Sequence, residues 1–239
     1  MNEELKAIYD RAYKEGDFFT KGRGVQERAE IIKMLPSFKE MKILEIGAGK
    51  GELANSIRKL GYEITAIDYS EECGDGVLCK NYREITDKFD VIVMLGVLEH
   101  LDEPFVELDW MINNLLNKNG QVITSSPNFL NPRGYVWMTL HHLLKVPMSL
   151  TDLHFIAPWD FGRYCNVRGY RLIMQSVDQD WGCGKMMLDD YYKRLPKALN
   201  DVGLPTDGCI SLWNWLKRSN NYFQTSRHSG ANMVYKIFT

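Results

Sequence analysis

Between residues 41 and 61 the sequence reads MKILEIGAGKGELANSIRKLG: an apolar run meets three glycines in five positions, then apolar residues resume at helical spacing. Six residues without polar alternation suit a strand buried on both faces, as in a parallel sheet. Leu53, Ile57 and Leu60 recur at intervals of four and three, the period of an amphipathic helix, with Gly61 as its stop. Parallel strands cannot be joined by a hairpin and need a crossover. A glycine bend at this junction lets the main chain approach something closely.

The pattern repeats downstream. YEITAID (62–68) and FDVIVML (89–95) read as further strands. Pro104 opens a helix with Phe105, Leu108, Met111, Ile112 and Leu115 on its apolar face, expected to end near Asn119-Gly120. QVITSS (121–126) is the next strand, closed by Pro127. Upstream, Ile31, Ile32 and Leu35 form an apolar group before Pro36 breaks the first helical segment. Strands alternating with helices predict an open, mostly parallel α/β sheet with helices on both faces.

The last third is less regular. Residues 128–149 are aromatic and apolar, interrupted by Pro132 and Pro147, and read as a cap segment over the carboxyl edge of the sheet. PWDFGRYCNVRGY predicts a helix with a glycine stop, followed by a strand near RLIMQSV. GKMMLDDYYKRLPKALN and CISLWNWLKRS predict two helices, and ANMVYKIF a terminal strand that can lie antiparallel. The expected organisation is a single domain over 1–239. It has an N-terminal helical segment (1–40), a ligand-binding core (41–126) and insertions at 127–157 and 181–230.

Composition excludes more than it selects. A net charge of −2 and a pI near 6.2 give no basic stripe for nucleic acid. The apolar run 91–98 is far short of the ~20 residues a membrane span needs. The opening MNEELKAIYD lacks the charged-then-apolar order of a secretory signal. Five scattered cysteines with no C-x-x-C pair indicate neither a zinc knuckle nor a disulfide framework. A reducing cytoplasm, no membrane and no nucleic-acid partner are expected; oligomeric state is not readable.

Two common uses of a glycine bend fit poorly. A P-loop needs G-x-x-x-x-G-K-[ST], and Lys50 is followed by Gly51. A dinucleotide fingerprint counted from Gly47 and Gly49 needs glycine at position 52, which is Glu52. What stands here is Glu45-x-Gly47-x-Gly49-x-Gly51, with Asp68 ending the next strand, where a carboxylate can accept both hydroxyls of a ribose. A nucleoside ligand without a pyrophosphate is the reading that remains.

LEIGAGKGELA, the acid at Asp68, FDVIVMLGVLEHLDEP and LNKNGQVITSSPN, in that order, resemble successive motifs of the class I S-adenosylmethionine-dependent methyltransferases. The similarity spans roughly residues 41–128, with weaker echoes through LHFIAPWDFGRYCNVRGYRL. The resemblance implies a Rossmann-like seven-stranded sheet with its last strand antiparallel, and a helical, aromatic cap in the C-terminal half. It puts Gly47, Gly49 and Gly51 against the methionine part of the cofactor. Glu45 orders the bend, Asp68 holds the ribose and Tyr69 lies along the adenine. Leu95, Gly96 and Val97, with His100, line the pocket beyond the fourth strand. The crossover after Asp68 is too short and glycine-rich for the family's full helix and strand. The position of the adenine-side acid falls near Asn81 and Tyr82.

Methyl transfer from a sulfonium is a one-step displacement, and a hydroxyl acceptor adds the need for a base. His154 in DLHFIAP stands where related small-molecule methyltransferases often place a histidine near the acceptor; His100 is the second candidate, ahead of His141 and His142. Quinone-biosynthesis O-methyltransferases carry an E-x-x-E-H associated with a divalent ion. Here Glu99 and His100 match its end, but Gly96 replaces its first acid, so no metal is expected. The aromatics Tyr135, Trp137, Phe155, Trp159, Trp181, Trp213 and Trp215 suit a sugar, a base or a quinone, and equally an ordinary core. Arg133, Lys145, Arg163, Arg168 and Lys185 are too scattered for an anion site.

The expected activity is O-methylation of a small polar acceptor: a sugar, a nucleotide-linked or a phosphorylated metabolite, as in bacterial capsule or surface polysaccharide synthesis. The alternatives are N-methylation, quinone-ring methylation, or a catalytically silent nucleoside-binding regulator of the same fold.

Overall fold

The computed structural model describes residues 6–8, 10–11, 14, 24–147 and 152–239. The rest of the expected N-terminal helical segment, and residues 148–151 of the expected cap, lie outside these. The chain forms two compact units, one of residues 1–126, 151–174 and 234–239, the other of 127–150 and 175–233. His154, expected within a cap insertion, belongs to the first.

The first unit carries α1 (Val25–Met34), whose Ile31 is fully buried. Then come β1 (Lys42–Ile46), α2 (Glu52–Lys59), β2 (Glu63–Asp68), the two-residue β3 (Leu78–Cys79) and β4 (Phe89–Leu95). They are followed by α3 (Pro104–Leu115), β5 (Leu116–Pro127), α5 (Pro158–Arg168) and β6 (Arg171–Val177), which runs on into the second unit. Between β5 and α5 the chain enters the second unit for α4 (Pro132–Leu144). That unit continues with α6 (Gln179–Cys183), α7 (Lys185–Asn200) and α8 (Cys209–Ser219), and β7 (Asn232–Phe238) returns to the first.

The strands form one seven-stranded sheet in the order β3-β2-β1-β4-β5-β7-β6. β1 pairs in parallel with β2 and β4, β2 with β3, and β4 with β5; β7 is antiparallel, as the last strand was expected to be. Val91 to Met94 are wholly inaccessible, as central parallel strands covered on both faces must be. Strand order reverses at β1: β2 lies on one side and β4 on the other. The crevice at their carboxyl ends is where open α/β sheets take ligands.

Two sequence expectations need correction. The α3 helix ends at Leu115, not near Asn119-Gly120, because Leu116 already pairs with Phe89 and β5 runs from there. Asn119, at φ 61°, sits within that strand, whose register with β4 shifts between Phe89 and Val91. Leu60 is 47% exposed and does not join the core face of α2. The shortened crossover after Asp68 is as expected: between residues 69 and 88 there is only β3 and one 3-10 turn (Tyr82–Glu84).

In the second unit Asn131 caps α4 by accepting from the Gly134 N–H at 2.8 Å, and its amide donates to the Asn128 and Gly230 carbonyls. Trp137 is buried, its ring 5.9 Å from Tyr191. Asp190 accepts from both Arg133 and Arg194. These contacts support the core reading for Trp137, whereas Trp215 is 63% exposed. None of the described helices is long and apolar enough to cross a membrane.

Candidate active site

Gly47, Gly49 and Gly51 all have positive φ, the left-handed region that glycine enters at no steric cost. The bend is tied to the end of β2: the Gly47 and Ala48 N–H groups both donate to the Ile67 carbonyl at 3.0 Å. A Cβ on Gly47 would stand 2.5 Å from a methyl of Val97. Absence of a side chain is therefore what lets Val97, two residues beyond β4, close over the bend.

Asp68 links bend and strand. Its Oδ2 accepts from the Gly49 N–H at 2.8 Å and its Oδ1 from the Ser70 N–H at 2.9 Å. Burial pushes its carboxyl above the ordinary range, opposed by these N–H donors. Ser70 in turn donates to Asp10. Sequence reasoning missed Gly74, whose N–H donates to the Gly49 carbonyl at 2.9 Å; a Cβ there would lie 2.3 Å from the Lys50 carbonyl oxygen. Its partner is 25 residues away, so no local pattern marks it.

Glu45 is 3% exposed and accepts a hydrogen bond from the Ala54 N–H in the first turn of α2, bracing strand against helix across the bend. Glu52, the residue that breaks the dinucleotide spacing, pairs with Arg28 at 2.9 Å. Burial is the main cause that pushes the Glu45 carboxyl up to about 8. An acid held above its unfolded value stabilises the fold while it keeps its proton, so this contribution is complete below the ordinary carboxylate range. It is lost as pH rises towards 8. Glu45→Gln is therefore expected to gain about 2 kcal/mol on the parent chain between pH 5.5 and 8. Urea unfolding at the two pH values checks this; parallel curves would refute it.

Tyr69 is half-buried beside Asp68. Asn81 and Tyr82 are committed elsewhere. The Asn81 side-chain oxygen accepts from the Arg83 N–H at 3.0 Å, capping the short turn. Tyr82 donates to Glu107 at 2.7 Å and sets its ring edge-on to Trp110. The cap role takes the Asn81 oxygen, so only its amide is left for an adenine.

At the end of β4, Leu95 is half-buried, and Gly96, at φ 63°, donates its N–H to Ser125 Oγ at 3.2 Å. The chain then makes a 3-10 turn (Leu98–His100). The Glu99 carbonyl accepts from the N–H groups of both Leu153 and His154, at 2.9 and 3.1 Å. That clamp brings residues 152–154 to the turn. His154 Nε2 lies 3.0 Å from the Asp102 carbonyl oxygen, and His100 Nδ1 lies 3.8 Å from Asp152 Oδ1. Both candidate histidines thus share one end of β4, whereas His141 and His142 lie on α4 in the other unit. The cations Arg163 and Arg168 are paired with Asp160 and Asp109.

The sequence reading counts only two metal ligands here, and the fold adds a third. Glu99, His100 and Asp152 each offer a ligand atom, all within 4.8 Å of one another. Asp152 is 52 residues from His100, a separation no motif spans.

Comparison with known proteins gives this geometry a family. A family model described as a methyltransferase domain matches residues 22–178. Ubiquinone biosynthesis O-methyltransferase of Azotobacter vinelandii is 30% identical over 150 residues, covering 54% of this chain and 63% of the relative. The chain thus covers less than two thirds of that relative's length. An S-adenosylmethionine-dependent methyltransferase from Thermotoga maritima, described as a possible histamine N-methyltransferase, is 15% identical with a TM-score of 0.61, over 97% of this chain and 98% of that one. The DhpI–SAM–HEP complex is 11% identical with a TM-score of 0.58, over 99% of this chain and 97% of that one. The match over residues 22–178, on this sheet order, makes the chain a member of the methyltransferase-domain family that uses S-adenosylmethionine.

Proposed function

We propose that the chain transfers the methyl group of S-adenosylmethionine to a hydroxyl oxygen of a small acceptor brought to the carboxyl end of β4. The observation that carries this reading is the setting of His154. A carbonyl oxygen only accepts, so Nε2, 3.0 Å from the Asp102 carbonyl, is the donor, and in the neutral imidazole Nδ1 is the nitrogen with the lone pair. An oriented imidazole with a free lone pair is what a hydroxyl acceptor requires.

The reaction balances without a further reagent. The acceptor oxygen attacks the methyl carbon, the S–CH3 bond breaks and its electron pair stays on sulfur, giving S-adenosylhomocysteine. The hydroxyl proton passes to His154 Nδ1. Holding oxygen and methyl in line supplies about 7–11 kcal/mol of the barrier lowering, and the base roughly 10²–10⁴-fold more. Gly47, Gly49, Gly51 and Val97 hold the methionyl part, Asp68 the ribose and Tyr69 the adenine side.

The acceptor we favour is polar: a sugar, nucleotide-linked or phosphorylated metabolite. A hydroxyl of a quinone-biosynthesis intermediate is the second reading, favoured by the similarity to the ubiquinone biosynthesis O-methyltransferase of Azotobacter vinelandii. Incubation with labelled S-adenosylmethionine and a panel holding sugar nucleotides, sugar phosphates and dihydroxybenzoates tests both. Label in a hydroxyl acceptor supports the reading, and the acceptor labelled chooses between its two forms. Tight cofactor binding with label only on amines, or on nothing, would overturn it.

A further inference from the structure

We propose that Glu99, His100 and Asp152 hold a divalent cation, with Asp152 supplying from a distant segment the acid that position 96 lacks. Three observations carry this. The three ligand atoms lie within 4.8 Å of one another, the spread expected of oxygens and a nitrogen at about 2.0–2.6 Å from one ion. Glu99 is 2% exposed and its Oε2 has no hydrogen-bond partner, an arrangement that a bare carboxylate cannot hold without a proton or a cation. And the segment bearing Asp152 is fixed rather than adventitious, since the next two N–H groups both donate to the Glu99 carbonyl.

Position 96 explains why the acid comes from elsewhere. Gly96 carries φ 63°, which suits glycine, and an added Cβ would meet only Glu99 Oε1, at 3.5 Å. The backbone there favours glycine while leaving the space beside Glu99 unfilled. Asp152 reaches the same cluster from across the fold.

Two carboxylates and one imidazole suit Mn2+ and its neighbours rather than a soft thiolate-seeking metal. The ion's role rests on the acceptor reading above: facing the hydroxyl, it would draw electron density from that oxygen. This assigns the two histidines different work, His100 as ligand and His154 as base.

The test needs no acceptor. Chain stripped with a chelator is titrated with Mn2+, and free ion is followed by electron paramagnetic resonance. One saturable ion per chain is expected. Asp152→Asn and Glu99→Gln should each weaken it at least tenfold, and Glu63→Gln, at the opposite end of the sheet, should leave it unchanged. S-adenosylhomocysteine affinity, measured alongside, should stay within threefold in Asp152→Asn. Absence of saturable binding below millimolar Mn2+, or wild-type affinity in Asp152→Asn, would overturn the site. If a variant melts early, the parent chain decides by itself: no rise in melting temperature on adding Mn2+ also overturns it. A chain that binds Mn2+ but methylates no hydroxyl would sink the acceptor reading and leave this one standing; the reverse result would do the opposite.

Discussion

Asp68→Ala is expected to weaken S-adenosylhomocysteine binding by roughly ten- to a hundredfold while leaving the chain folded. The carboxylate has about four acceptor directions; the Gly49 and Ser70 N–H groups take one on each oxygen, and the Tyr69 N–H also bonds to it. One direction is left for a ribose hydroxyl. A hydrogen bond to a charged group is worth about 1.5–3 kcal/mol, so losing it costs a factor of about 10 to 10². Alanine also frees the Gly49 N–H and slackens the bend. Asp68→Asn, which keeps one carbonyl oxygen, should lose less. Calorimetry with S-adenosylhomocysteine reads the effect, and a parallel titration with NAD should show no binding in either chain. Unchanged affinity in Asp68→Ala would remove the ribose assignment and with it the reading of the whole bend.

The part of the site that was legible in sequence is the part built from neighbours. An apolar run, three glycines and a strand-end acid encode β1, the bend and Asp68 within 28 residues, because each owes its conformation to its own φ preference or to the next strand. What sequence could not show is contact across distance. Gly74 must be glycine because the Lys50 carbonyl presses on it, and Asp152 enters the site because two N–H groups after it bond to Glu99. The α3–β5 boundary failed for a related reason. Asn119-Gly120 carries a helix-stop signal, yet pairing of Leu116 with Phe89 had already drawn the chain into the sheet. Asn81 and Tyr82 were assigned to adenine by their place in the chain, and their side chains turned out to be used by a local cap and by α3.

His154→Gln is expected to lower kcat by about 10²–10⁴-fold, the usual contribution of a positioned base, with S-adenosylhomocysteine affinity close to that of the parent chain. Glutamine can still donate to the Asp102 carbonyl, so the clamp on the turn survives while the lone pair that takes the proton is gone. A purely structural role would lower activity for every acceptor alike. A base does not: its worth falls as the acceptor hydroxyl becomes more acidic, since an oxygen already ionised needs no help. Across a series of acceptors of increasing hydroxyl acidity, the deficit of His154→Gln should therefore shrink. His100→Gln should behave differently, losing Mn2+ at every step of the series and showing no such dependence on Nδ1 of residue 154. A deficit constant across the series would make His154 a clamp alone, and the proton would then have to leave to solvent or to an oxygen of the cluster around Glu99.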